Sequence, residues 1–160
     1  MLKKMDLKTL LQSLLDHKVK YLVIGAWALP AYGIERMTRD FDIFIEQNET
    51  NVRKTIKALQ QAGYLAVEDK QVNLFLTQKI LLREYVLQTD IHPFVKGSEF
   101  SRAWRTRKMT NIKGYKVFVP SLDELLKMKR AANRPKDVDD ILRLEKVKAK
   151  IQRKKSKVKI

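Results

Sequence analysis

Asp40-Phe41-Asp42-Ile43-Phe44-Ile45 decides the fold. The apolar run Ile43 to Ile45, with Phe41 ahead of it, reads as a buried strand. In a strand, residues i and i+2 share a face, so Asp40 and Asp42 stand side by side while Phe41 and Ile43 point the other way into apolar packing. Two carboxylates this close repel, and one tends to stay protonated unless they share a cation. Placing both at the start of a buried strand is costly without one. Mg²⁺ suits the position, because it takes one or two carboxylates together with waters and phosphate oxygens. Asp-X-Asp alone is a common surface pair; the strand around it gives this one its meaning.

The same reading extends in both directions. Upstream, residues 2–17 place Leu2, Met5, Leu7, Leu10, Leu11, Leu14 and Leu15 at helical spacing. His17 sits at that helix's end, where it serves as a cap or dipole partner. Tyr21 to Ile24 is a short buried strand ending in Gly25, and Ala26 to Tyr32 is an Ala-rich helix closed by Gly33. Downstream, Asn48 or Thr50 caps a helix over 51–61, with Gly63 after it. Strands are predicted near 64–68, 72–77, 80–87 and 90–95, followed by a short helix from Ser98-Glu99 to Arg105. A hairpin pairs 109–112 with 116–119. Ser121 and Glu124 form a capping box that opens a helix to about Ala132. Arg134-Pro135 interrupts it, and a last helix covers 136–149. The pattern predicts an α+β fold: a mixed sheet flanked by helices, with further helices at the C-terminus. Residues 1–145 form one domain and 146–160 a basic tail.

Gln88-Thr-Asp90-Ile-His92 supplies a third carboxylate in a strand-like stretch. If the strands of Asp42 and Asp90 are neighbours, Asp40, Asp42 and Asp90 converge on one or two metal ions that meet the phosphates of a nucleoside triphosphate. His92 shares the face of Asp90; it reads as a hydrogen-bonded strand residue that can also orient a carboxylate or touch nucleotide. Trp27 and Trp104 read as core. Trp104 lies among Arg102, Arg105, Arg107 and Lys108, which leaves base stacking as a second reading.

Composition narrows the function classes. The 160 residues carry 34 Lys and Arg against 18 Asp and Glu, a net charge of +16 that favours polyanionic partners. Residues 146–160 hold eight Lys or Arg and no acid. Two readings stand for them: a solvated end, or an arm for RNA or a partner protein. The absence of Cys excludes disulfides and thiolate metal sites and fits a reducing compartment. The N-terminus reads as an amphipathic helix rather than a signal peptide, and no apolar run approaches about 18 residues. The expectation is a cytoplasmic protein with no membrane span.

Tyr21-Leu-Val-Ile-Gly25-Ala-Trp-Ala-Leu, followed by Gly33-Ile-Glu-Arg36-Met-Thr38-Arg-Asp40-Phe-Asp42-Ile, resembles the nucleotidyltransferase fold shared with DNA polymerase beta. The nearest likeness is to the minimal nucleotidyltransferases and the AbiE-type toxin nucleotidyltransferases. The stretch from Pro120 through Lys129 to Arg134-Pro-Lys136-Asp137-Val-Asp-Asp140 is similar to the family's second block, and the likeness covers roughly 19–145. The resemblance implies an Mg²⁺-dependent enzyme that moves a nucleotidyl group from an NTP to a hydroxyl on RNA or protein, in the setting of a toxin and its antitoxin. It implies catalytic and metal-binding roles for Asp40, Asp42 and Asp90. Gly25, Ala26, Arg36, Thr38, Lys129 and Arg134 then lie at the nucleotide, with Asp137 and Asp140 orienting Lys129 or Arg134. Many relatives carry Ser second in the glycine turn. Ala26 keeps the backbone cradle but lacks the hydroxyl, so the alternative is a catalytically weak module that binds RNA or a partner protein through its basic surface.

Overall fold

The computed structural model describes residues 6–157. Leu2 and Met5 of the expected first helix lie outside them. Helix α1 spans Leu7–Asp16, started by the Asp6 carboxylate, which accepts from the Lys8 N–H. It buries Leu7, Leu10, Leu11 and Leu14. His17 is its C-cap, and the ring shares a hydrogen bond with Gln61.

The strands are β1 (Tyr21–Ile24), β2 (Asp40–Ile45), β3 (Ile80–Leu82) and β4 (Gln88–His92), joined in the order β1-β2-β4-β3. β2 runs antiparallel to β1 and parallel to β4, while β3 is antiparallel to β4. The sheet is therefore mixed, and helices flank it. A parallel pair needs a long crossover. Residues 46–87 supply it, with α2 (Glu49–Ala62) as its main body. Asn48 caps α2, and Val52, Ile56 and Leu59 pack into the core. A separate hairpin of β5 (Lys108–Ile112) and β6 (Tyr115–Val119) packs beside β1. Helix α4 (Phe100–Arg105) precedes it. Its Trp104 stacks on Phe100 and lies partly buried, as does Trp27, which meets Phe41 edge-on.

Expectations differ at several places; the strand expected over 80–87 ends at Leu82. Residues 64–68 form no strand: Tyr64 is buried with its hydroxyl 2.6 Å from Thr89, and the Glu84 carboxylate accepts from the Leu65 and Ala66 N–H groups. Residues 72–77 form a helix, α3 (Val72–Thr77), led in by a capping box between Glu68 and Gln71. A short apolar run does not distinguish the two periodicities, and here the local cap decides. The last helix, α6, runs over Val138–Lys157 rather than ending near Ala149, because no Gly or Pro interrupts it.

Candidate active site

The register of β2 on β4 builds the centre of the site. Asp42 lies opposite Asp90, and Phe44 opposite His92. The even spacing keeps Asp42, Asp90 and His92 on one face, while Phe41, Ile43 and Ile91 fill the core on the other. His92 Nε2 is 2.9 Å from Asp42 Oδ1. One ligand atom from each of Asp42, Asp90 and His92 falls within 4.8 Å of the others. Two carboxylates and an imidazole at that spacing fit a divalent cation. Asp40 is not part of this trio; it lines the same cleft, and its N–H donates to the Thr38 hydroxyl at 3.0 Å.

Gly25 ends β1 and begins a 3-10 helix, Gly25–Tyr32. Its φ is +69°, and a Cβ there would sit 2.8 Å from Asp42 Oδ2. Both the backbone conformation and the approach of Asp42 require glycine. The residue the sequence assigned to a phosphate cradle thus also sets the position of a carboxylate.

The far wall belongs to α5 (Leu122–Ala132) and the start of α6. Lys129, almost fully buried on α5, lies 3.2 Å from Asp140 and 3.6 Å from Asp137. Arg134 bonds Asp137 through two nitrogens, at 2.7 and 3.1 Å. Arg36 reaches Asp140 from the loop before β2. Asp137 and Asp140 therefore gather three cations from three segments. Burial pushes the Asp137 carboxyl up, but the Arg134 bonds and the Lys129 charge outweigh it and hold it below its ordinary 3.8.

These groups surround one cleft of about 840 Å³. Gly25, Ala26, Arg36, Thr38, Asp40, Asp42, Asp90, Lys129 and Arg134 all line it, so the two sequence blocks meet in space. Lys79, Arg83, Phe94 and Lys96 line it too, and the sequence had pointed to none of them. The single signal was a pair of cations four apart around the apolar Ile80–Leu82. Arg83 Nη1 donates to Asp90 Oδ1 at 2.6 Å. That bond, with the charges of Asp90, Asp40 and Asp42, raises the Arg83 pKa above its ordinary value. Gly97 shapes the rim: a Cβ there would meet the Ala131 side chain at 2.5 Å, so the loop carrying Phe94 and Lys96 closes onto α5. No helix among the described residues is long and apolar enough to cross a membrane.

A family model described as "Nucleotidyltransferase of unknown function (DUF6036)" matches residues 2–152. No curated protein matches the chain. The match spans both sequence blocks and every residue of the cleft, and by it the chain belongs to this family of nucleotidyltransferases.

Proposed function

We propose that the cleft binds a nucleoside triphosphate with Mg²⁺ and transfers its nucleotidyl group to a hydroxyl on RNA or protein. The carrying observation is the register that sets Asp42 opposite Asp90 and beside His92, under a wall of cations. Asp42 and Asp90 would hold the divalent ion, with Asp40 beside them and His92 either completing the set or orienting Asp42. When bound, such an ion neutralises triphosphate charge and fixes its geometry. The chain's own groups do the rest. The backbone at Gly25 and Ala26 approaches the triphosphate where no side chain intervenes. Arg36, Lys129 and Arg134, held by Asp137 and Asp140, offset charge as pyrophosphate leaves. Asp90 serves the acceptor side by orienting the incoming hydroxyl. The AbiE-type likeness suggests a toxin held by an antitoxin in the cytoplasm, and the charge of +16 favours RNA as the acceptor.

Calorimetry with Mg²⁺ and non-hydrolysable NTP analogues tests the site. The wild-type chain binds at least one analogue, and EDTA abolishes binding. Asp42→Asn loses it while keeping the fold. A variant that binds like wild type removes Asp42 from the site. Binding that survives EDTA favours the basic-surface module.

A further inference from the structure

Asp90 is the carboxylate of the cluster that already has its own counter-cations. Arg83 Nη1 holds its Oδ1 at 2.6 Å, and Lys79 Nζ stands 3.8 Å from its Oδ2. Across the strand pair, the partner of Asp42 among the described residues is the imidazole of His92. Arg83 thus already holds one of the carboxylates that the cluster offers to a metal ion. A guanidinium on Asp90 and a divalent ion in the same cluster repel at short range, so the two occupancies compete.

The other cleft arginines are placed differently. Arg36 and Arg134 pair with Asp140 and Asp137, which lie outside the metal-holding trio. A metal ion leaves those pairs undisturbed. Among the described residues, Arg83 is the cleft arginine whose partner belongs to the cluster.

We propose that Arg83 is a displaceable counter-cation: it neutralises Asp90 in the metal-free chain, then releases it to a divalent ion and pairs with the phosphates of the nucleotide. Its position permits the exchange. Arg83 follows directly after β3, an edge strand of the sheet, and 42% of its side chain is exposed, so it swings without opening the core. Charge supplies the direction. Around the trio, three carboxylates (Asp40, Asp42 and Asp90) stand against the cations of Arg83 and Lys79, within a lining of seven Lys or Arg and five Asp. A divalent ion tips that balance toward positive and a triphosphate restores it, so the guanidinium loses one anionic partner as another arrives. A planar guanidinium meets phosphate oxygens through two parallel bonds. The phosphate half rests on the nucleotide-binding function proposed above; the competition for Asp90 does not.

The test compares the full chain with Arg83→Gln. Mn²⁺ alone is titrated and the free ion followed by electron paramagnetic resonance. Non-hydrolysable NTP analogues are then titrated with Mg²⁺. Removing the competing cation tightens Mn²⁺ binding by about fivefold or more, whereas losing a merely structural ion pair would weaken it or leave it alone. Nucleotide binding weakens by a similar factor. Arg83→Lys keeps the charge and stays near wild type toward Mn²⁺; a shift as large as that of Arg83→Gln overturns the charge competition. Unchanged or weaker Mn²⁺ binding by Arg83→Gln overturns this inference and leaves the cleft's function standing. Tighter Mn²⁺ binding with unchanged nucleotide affinity removes the phosphate role. No Mn²⁺ binding by either protein removes the metal site, and both proposals with it.

Discussion

At Gly25 the chain leaves room for a hydrogen and no more. The φ of +69° costs an L-residue about 1–2 kcal/mol, and the added methyl would press on the Asp42 carboxylate. Gly25→Ala therefore lowers the unfolding free energy by roughly that amount and also weakens Mn²⁺ binding, because Asp42 must shift. Urea denaturation and metal titration together check it; full stability with full metal affinity would show that Asp42 does not depend on this contact. Much of the residue scale was legible. The period of two put Asp40 and Asp42 on one face without further information. That His92 can orient a carboxylate was legible, but that its partner is Asp42, and that Arg83 holds Asp90, was not, because these depend on which strands are neighbours and in what register. Local sequence does not carry that register.

Buried carboxylates help tie together the elements around the cleft. Glu124 at the start of α5 is buried, yet it bonds Arg102 of α4 and Ser98 before it. Burial alone would raise its carboxyl, but Arg102 and Ser98 outweigh burial and hold it below its ordinary 4.5. Asp137, where α6 approaches α5, is lowered likewise. Both groups are thus ionised more readily in the folded chain than in the unfolded one. Their stabilisation is complete above their ordinary values and is lost as pH falls through the folded pKa. Glu124→Gln should cost about 1–2 kcal/mol at pH 7, with Arg102 partly exposed, and the deficit should shrink below pH 4.5. Unfolding titrations at pH 7 and pH 3.5 measure both; a deficit equal at the two values would contradict the assignment. The Ser121 cap was legible, and its oxygen does accept from the Glu124 N–H. The Glu124 side chain instead turns to Arg102 and Ser98, a tertiary pull that the four-residue signature does not contain. Residues 64–77 show the reverse error, in which apolar spacing suggested strands and local capping made a loop and a helix.

Over the whole molecule, charge and cleft belong to one design. α6 begins at the Asp137–Asp140 cluster, buries Leu144, packs Val147 and then continues exposed from Ala149 to Lys157. Its first turn lines the cleft through Asp140, and its exposed half carries Lys150, Lys154, Lys155 and Lys157. The α+β architecture was legible because β2 and the two sequence blocks around it are strongly patterned; the length of α6 was not, since a Lys-rich segment without Gly or Pro reads equally well as coil or helix. The central claim is group transfer itself. Each of the four α-³²P-labelled NTPs, with Mg²⁺, is incubated with the full chain and either total RNA or a co-expressed partner protein. The account predicts label on one acceptor from wild type. Asp90→Ala should keep NTP affinity within roughly tenfold yet transfer far less if, as proposed, Asp90 orients the acceptor hydroxyl. Equal labelling by Asp90→Ala would remove Asp90 from the mechanism, and no labelling by wild type with any NTP and either acceptor would contradict the account.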